Sequence, residues 1–242
     1  MTDTPNGAKA KERRARTVIV LQQEAASPPP PGTDWLGLRE LDVHAGLHKP
    51  SRRRDWRLGR WTAKRAIREA FGVDDPTRIE LLAGPDGAPE VHLDGARAPV
   101  TLTLSHRTGV CLCLLVEDEL RLGCDLEHVE PRSPAFVRDY LVAEEQQAVE
   151  SARSGARDRV VNTIWSAKEA ALKALHTGLR RDPRSVAVTR LDPATPGGDW
   201  GALRVEDRLV GHRFDGWWRG HGELVLTMVA EGGLVPPERL LS

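Results

Sequence analysis

The sequence predicts an α+β fold, arranged as two similar lobes related by a pseudo-twofold with an active cleft between them. Two long stretches, about 51–71 and 159–175, carry apolar residues at helical spacing. Short β-prone runs bounded by Gly, Pro and charged turns surround each of them. Each half therefore holds one long helix and several strands. The boundary falls near Gly123 to Pro131, giving an N-terminal lobe over 17–122 and a C-terminal lobe over 123–242. No repeat of sequence stands out between the halves, so the duplication is expected from the element pattern alone.

The elements follow in order. Residues 1–16 are polar and basic, lack the apolar core of a secretory signal, and read as a disordered tail. Thr17–Leu21 is a first strand. Four consecutive prolines between Ser27 and Gly32 force a loop, and order resumes at Asp34-Trp35-Leu36. From Ser51 to Phe71, Trp56, Gly59, Ala63, Ile67 and Ala70 form a helical stripe, with Asp74-Asp75-Pro76 beyond its end. Ile79–Leu82 is a short strand, and Gly84-Pro-Asp-Gly87-Ala-Pro89 a turn-rich loop. Val100–Leu104 and Val110–Val116 are strands joined by Ser105-His106-Arg107-Thr108-Gly109. The second is apolar at nearly every position, which suits burial on both faces. Glu117-Asp118-Glu119 is a turn before a strand over Leu120–Val129. Ala135–Ala152 and Arg159–Leu175 read as helices, and Val186–Thr189, Ala202–Val205 and Leu224–Ala230 as strands.

Bulk properties narrow the function classes. The 242 residues suffice for one large domain or two modest ones. At 40% hydrophobic and 29% charged, the composition is that of a soluble globular protein. Thirty-five basic residues balance 35 acidic ones, so no global field draws the chain to nucleic acid or to a membrane. No apolar run approaches the roughly 20 residues of a membrane helix. Cys111, Cys113 and Cys124 sit in apolar strand patterns and read as small buried hydrophobes. Their C-x-C spacing fits neither a zinc knuckle nor a redox motif, and a reduced, cytoplasmic protein is expected.

Four patterns carry chemistry. Leu122, Cys124 and Leu126 alternate with Gly123, Asp125 and Glu127, which puts both carboxylates on one strand face. Adjacent carboxylates repel unless a cation sits between them, and a hard divalent ion with oxygen ligands fits. A solvated strand face would give the same pattern. Trp165, Glu169 and Lys173 recur at i, i+4 and i+8 on one helix face, with Lys168 one position round. The plain alternative there is an exposed Glu–Lys pair, worth only a few tenths of a kcal/mol. Arg53, Arg57, Arg60, Lys64 and Arg68 form a ridge with no acid on it, able to dock phosphates. Gly59 costs roughly 1 kcal/mol relative to Ala inside that helix, which suggests close approach of another element or a ligand. Ser105 and His106, at a strand end, offer a hydroxyl, an imidazole and backbone N–H groups to a phosphate.

In this order the patterns resemble the 4′-phosphopantetheinyl transferase superfamily in its two-lobed, Sfp-like form. That family carries (V/I)G(V/I)D(I/L)E and, some forty residues on, (F/W)(S/C)xKE(A/S)xxKA. The chain has Leu122-Gly-Cys-Asp-Leu-Glu127 and Trp165-Ser-Ala-Lys-Glu-Ala-Ala-Leu-Lys-Ala174. Ser105-His106 and the basic helix around Arg52 to Lys64 match the family's upstream features, and the resemblance runs from about Asp34 to Val229. It implies transfer of phosphopantetheine from coenzyme A to a serine of an apo acyl or peptidyl carrier protein, releasing adenosine 3′,5′-bisphosphate. The implied cofactor is Mg²⁺, with Mn²⁺ as a substitute, held by Asp125, Glu127 and Glu169. Glu169, directly or through a metal-bound water, is the implied base, and Lys173, with Lys168, the implied support for the pyrophosphate. Arg53, Arg60, Lys64, Ser105 and His106 are the implied holders of the coenzyme phosphates, with Arg52 and Arg54 as alternatives to Arg53. Basic and apolar residues such as Arg132 and Phe136 to Leu141 are the expected carrier contacts, and a monomer is the expected form.

Two departures bear on how the coenzyme sits. The family's Gly-Lys-Pro turn is Gly87-Ala88-Pro89 here, and its Lys-Ala-x-Gly-x-Gly is Lys173-Ala-Leu-His176-Thr-Gly178. Two other classes compete: a coenzyme A-binding module without turnover, hinted at by Ala88 and His176, and a metal-dependent phosphodiester hydrolase. The intact carboxylate and lysine set argues against the first. The second needs a further base or a second metal cluster, and the sequence offers no His/Asp cluster for one.

Overall fold

The computed structural model describes residues 17–194, 200–237 and 240–241. The expected disordered tail, residues 1–16, lies outside the described residues. In chain order these form β1 (Thr17–Gln23), α1 (Leu38–Ala45), α2 (Pro50–Phe71), β2 (Ile79–Ala83), β3 (Pro89–Leu93), β4 (Ala96–Arg97), β5 (Thr101–Arg107), β6 (Val110–Val116), β7 (Leu122–His128), α3 (Pro134–Tyr140), α4 (Ala143–Glu150), α5 (Arg157–Ala174), β8 (Val186–Leu191), β9 (Gly201–Asp207), β10 (Arg213–His221), β11 (Leu224–Glu231) and β12 (Leu240–Leu241). The fold is α+β. None of the described helices is long and apolar enough to cross a membrane.

Three sheets form, with strand orders β12-β1-β6-β5, β7-β11-β10-β9-β8 and β2-β3-β4. The first two pack face to face. Ile19, Leu21, Leu112 and Leu114 meet Leu122, Cys124, Leu126, Leu226 and Met228 in one shared core. The outer face of the first sheet is covered by α2 through Ala63, Ala66 and Ile67. The outer face of the second is covered by α5 through Ala167, Ala170, Ala171 and Ala174. Alternation along β7 thus sends Leu122, Cys124 and Leu126 to the inter-sheet core, and Gly123, Asp125 and Glu127 toward α5. Gly123 is what lets α5 lie so close. A Cβ there would come within 1.8 Å of the Ala170 carbonyl oxygen and 3.0 Å of the Ala174 nitrogen.

Each half contains the same buried knot. Lys64 on α2 donates to Glu40 at 2.7 Å and to the Ile79 carbonyl, while Glu40 accepts from the Gly37 and Leu81 N–H groups. Lys168 on α5 donates to Glu145 at 2.6 Å and to the Val186 carbonyl, while Glu145 accepts from the Val142 and Val188 N–H groups. In both cases a helix-start glutamate, a long-helix lysine and the first residues of the next strand are tied together. Burial lowers the proton affinity of both amines, and the paired glutamate opposes that shift. Setting Lys64 against Lys168 also aligns Trp61-Thr-Ala-Lys-Arg-Ala-Ile-Arg-Glu-Ala70 with Trp165-Ser-Ala-Lys-Glu-Ala-Ala-Leu-Lys-Ala174. The two ten-residue stretches share Trp, Ala, Lys, Ala and Ala at matching positions, a local likeness centred on the lysine of each knot.

Other differences have local causes. α1 is unexpected because Leu38 and Val43 are exposed and leave no apolar stripe to read. The helix expected over 135–152 is two, since Leu141 and Val142 are extended where the Glu145 knot ends α3 and starts α4. β10 and β3 escape pattern reading because glycine, proline and charge interrupt them. β5 runs on to Arg107, and the turn is only Thr108-Gly109, both with positive φ (46° and 74°), as a two-residue hairpin requires. β12 pairs in parallel with β1, which places Leu240 and Leu241 at the edge of the first sheet.

Candidate active site

The two chemical strings meet where β7 faces α5. Asp125, Glu127 and Glu169 each offer an oxygen, all within 4.8 Å of one another. Asp125 is 2% and Glu127 5% exposed. Lys173, one turn beyond Glu169, donates to Asp125 Oδ1 at 2.7 Å, to Ser105 Oγ at 3.0 Å and to the Cys124 carbonyl at 3.1 Å. Ser105 Oγ donates to the same Asp125 oxygen at 2.9 Å. The other oxygen, Oδ2, is buried without a hydrogen-bond partner among the described residues. A buried carboxylate oxygen with no donor is costly. An all-oxygen cluster of three carboxylates, one of them with a buried oxygen lacking a donor, fits a hard divalent cation.

Electrostatics agree with that fit. Burial, with Asp125 next, pushes the Glu169 carboxyl up to about 7. Burial and Asp125 also raise Glu127, against the pull of Arg107 and Arg132. Burial alone would lower the Lys173 ammonium, but Asp125, Cys124 and Glu169 outweigh it and the net shift is upward. Glu127 Oε2 lies 3.3 Å from Arg132 and 3.5 Å from Arg107, and Glu130 lies 3.0 and 3.4 Å from the same two guanidiniums. Four carboxylates thus meet three cations (Lys173, Arg107 and Arg132). The floor is formally one charge negative, and a divalent cation makes it positive and able to accept an anion.

The floor opens into a cleft of about 690 Å³ lined by Arg52, Trp56, Gly59, Arg60, Ser105, His106, Glu169 and Lys173 among others. A Cβ added at Gly59 would meet Leu104 at 3.9 Å, an ordinary contact, so the position is open toward the cleft it lines. Arg60 stacks over Trp56 at 4.7 Å. A second cavity of about 920 Å³ adjoins it through Arg60, Leu104 and Lys173, and includes both departure sites, Ala88 and His176. His176 adopts φ of 56°, where a glycine would carry no strain, and its ring bonds Asp86.

Three expected contacts are corrected. Lys64 and Lys168 are both fully buried in their knots and reach neither cavity. Arg53 spends its guanidinium on the Leu47 carbonyl at 2.9 and 2.6 Å, so Arg52, not Arg53, lines the cleft. Arg60, Ser105, His106, Lys173, Asp125, Glu127 and Glu169 all line it. Arg107 was not among the expected site residues. Extending β5 by three residues would have found it, because Arg107 shares the Ser105 face.

Comparison with known proteins agrees in kind. Residues 121–214 match the family model described as the 4′-phosphopantetheinyl transferase superfamily. The chain is 25% identical over 148 residues to 4′-phosphopantetheinyl transferase HetI of Nostoc sp., covering 60% of this chain and 62% of that protein. It is 30% identical over 124 residues to 4′-phosphopantetheinyl transferase AcpT of Salmonella typhimurium, covering 50% and 58%. In both cases the chain spans less than two thirds of the relative's length.

Proposed function

We propose that this chain, which belongs to the 4′-phosphopantetheinyl transferase superfamily, moves phosphopantetheine from coenzyme A to a serine of an apo acyl or peptidyl carrier protein. One observation carries the reading: Asp125, Glu127 and Glu169 converge with Lys173 and Ser105 on the floor of a cleft wide enough for a nucleotide. The two sheet-and-helix halves are read as two lobes, with coenzyme A lying between them.

Asp125, Glu127 and Glu169 would hold one Mg²⁺, which when bound offsets charge on the pyrophosphate and on its leaving oxygen. The remaining roles belong to the chain. Lys173 holds its ammonium against Asp125 and presents it to the pyrophosphate. Ser105, His106, Arg52 and Arg60 grip the nucleotide phosphates along the cleft wall. Glu169, which lines the cleft beside Lys173, takes the proton from the carrier serine as its oxygen attacks phosphorus. No protein nucleophile is needed, and adenosine 3′,5′-bisphosphate leaves.

Purified protein, coenzyme A, Mg²⁺ and an apo carrier, read by intact mass, test the proposal. A phosphopantetheine mass gain is expected, lost in Glu169→Gln. No gain across a panel of acyl and peptidyl carriers would overturn it, and coenzyme hydrolysis without a carrier would favour the hydrolase instead.

A further inference from the structure

Of the three clustered carboxylates, Glu127 is the one held at both oxygens by donors of the chain other than lysine or serine. Trp165 Nε1 donates to Oε1 at 3.3 Å, and Arg132 Nη2 donates to Oε2 at 3.3 Å. Arg107 approaches the second oxygen at 3.5 Å. Arg132 is not a free surface arginine. Its Nε donates to Asn162 Oδ1 at 2.7 Å, Nη1 lies 3.0 Å from Glu130, and its face covers Phe136 at 4.9 Å. Asn162 is itself fully buried on α5. Its amide nitrogen donates to the Glu130 and Asp158 carbonyls, both at 2.7 Å, which fixes which way the amide faces. A continuous set of short contacts therefore runs from α5 through Asn162 and Arg132 to Glu127.

We propose that Arg132, oriented by Asn162, is a positioning residue that aims Glu127 into the carboxylate cluster. The inference rests on reading that cluster as a divalent-cation site. Its physical basis is repulsion. Glu127 lies beside Asp125 and Glu169 in a buried setting, and without a fixed cation behind it the side chain would swing away from them. A guanidinium pinned at Nε can offer Nη2 in only one direction, so the aim is set by Asn162 rather than by Arg132's own rotamers. Each carboxylate oxygen keeps a second lone pair, so these donors leave Glu127 able to bind a cation. Partners that orient metal ligands in this way typically change metal affinity about 10–100-fold when removed.

The test is Mn²⁺ binding to the full chain without coenzyme A, followed by electron paramagnetic resonance of the free ion. Arg132→Gln and Asn162→Ala are each expected to weaken Mn²⁺ about tenfold. In the transfer assay the half-saturating Mg²⁺ concentration should rise by the same factor, while the KM for coenzyme A at saturating Mg²⁺ stays unchanged. Arg132→Lys, which keeps the charge but not the fork, carries the comparison should the glutamine variant fail to fold. Mn²⁺ affinity within twofold of wild type in a folded variant would overturn the positioning role and leave the proposed function standing. A KM for coenzyme A rising in step with the metal requirement would overturn it too, making Arg132 a co-substrate ligand. If wild type bound no Mn²⁺, the metal-site reading itself would fall, and this inference with it.

Discussion

Gly123→Ala tests how α5 is brought to β7, independently of any reaction. The added methyl carbon would sit 1.8 Å from the Ala170 carbonyl oxygen, where real Cβ atoms stay beyond 3.0 Å. Backbone supplies that oxygen, so no side chain can rotate aside. The helix must lift by about 1.2 Å, or the strand must bend by as much. Overpacking of this kind costs about 1–3 kcal/mol, and sometimes more. For a chain of this length that is a loss of about 2–12 °C in melting temperature. Glu169 precedes Ala170 on the lifted helix, so the carboxylate cluster opens by a comparable distance. A misplacement of about 1 Å can cost on the order of 100-fold in rate. Thermal unfolding and Mn²⁺ binding measured on the same sample read both consequences. Wild-type stability together with wild-type Mn²⁺ affinity would refute the close-approach argument.

Other perturbations separate scaffold from site. Lys168→Met leaves Glu145 charged and buried, which should cost about 3–5 kcal/mol in urea unfolding. The folded fraction should bind coenzyme A normally, and a lost coenzyme affinity at unchanged stability would restore Lys168 to the site. Arg52→Ala should raise the coenzyme A KM while Arg53→Ala should not, and the reverse pattern would contradict the assignment of the cleft wall. Glu169 titrates at about 7 in the folded, metal-free chain, against about 4.3 for a free glutamate. The folded state therefore holds this proton more tightly. The stability it contributes is full below the unfolded value and lost as pH rises through about 7. Metal-free wild type should lose melting temperature relative to Glu169→Gln between about pH 5 and 8, with Mg²⁺ restoring it. Parallel pH profiles for the two proteins would count against the shift.

Much of the site was legible because local periodicity decides it. A period of two along 122–127 places Asp125 and Glu127 together whatever the strand pairs with. A step of four along α5 places Glu169 and Lys173 together in the same way. The same periodicity misled where burial could not be read. Lys64 and Lys168 sit on helices rich in basic and small residues, and spacing alone does not tell a phosphate ligand from a buried knot. The short α1 and the glycine-bearing β10 show neither an apolar stripe nor a clean alternation: α1 is tied down by buried Glu40 and β10 by its two neighbouring strands.

By itself the sequence determined the α+β class, the long helices, the buried cysteines and which carboxylates share a face, since each follows from residues a few positions apart. Only the tertiary structure decided that β7 and α5 touch at Gly123, that Ser105 and Arg107 reach across from the first sheet, and that Arg52 rather than Arg53 faces the cleft. Those contacts join residues far apart in the chain. They depend on two sheets sharing one core, and no local pattern encodes that distance.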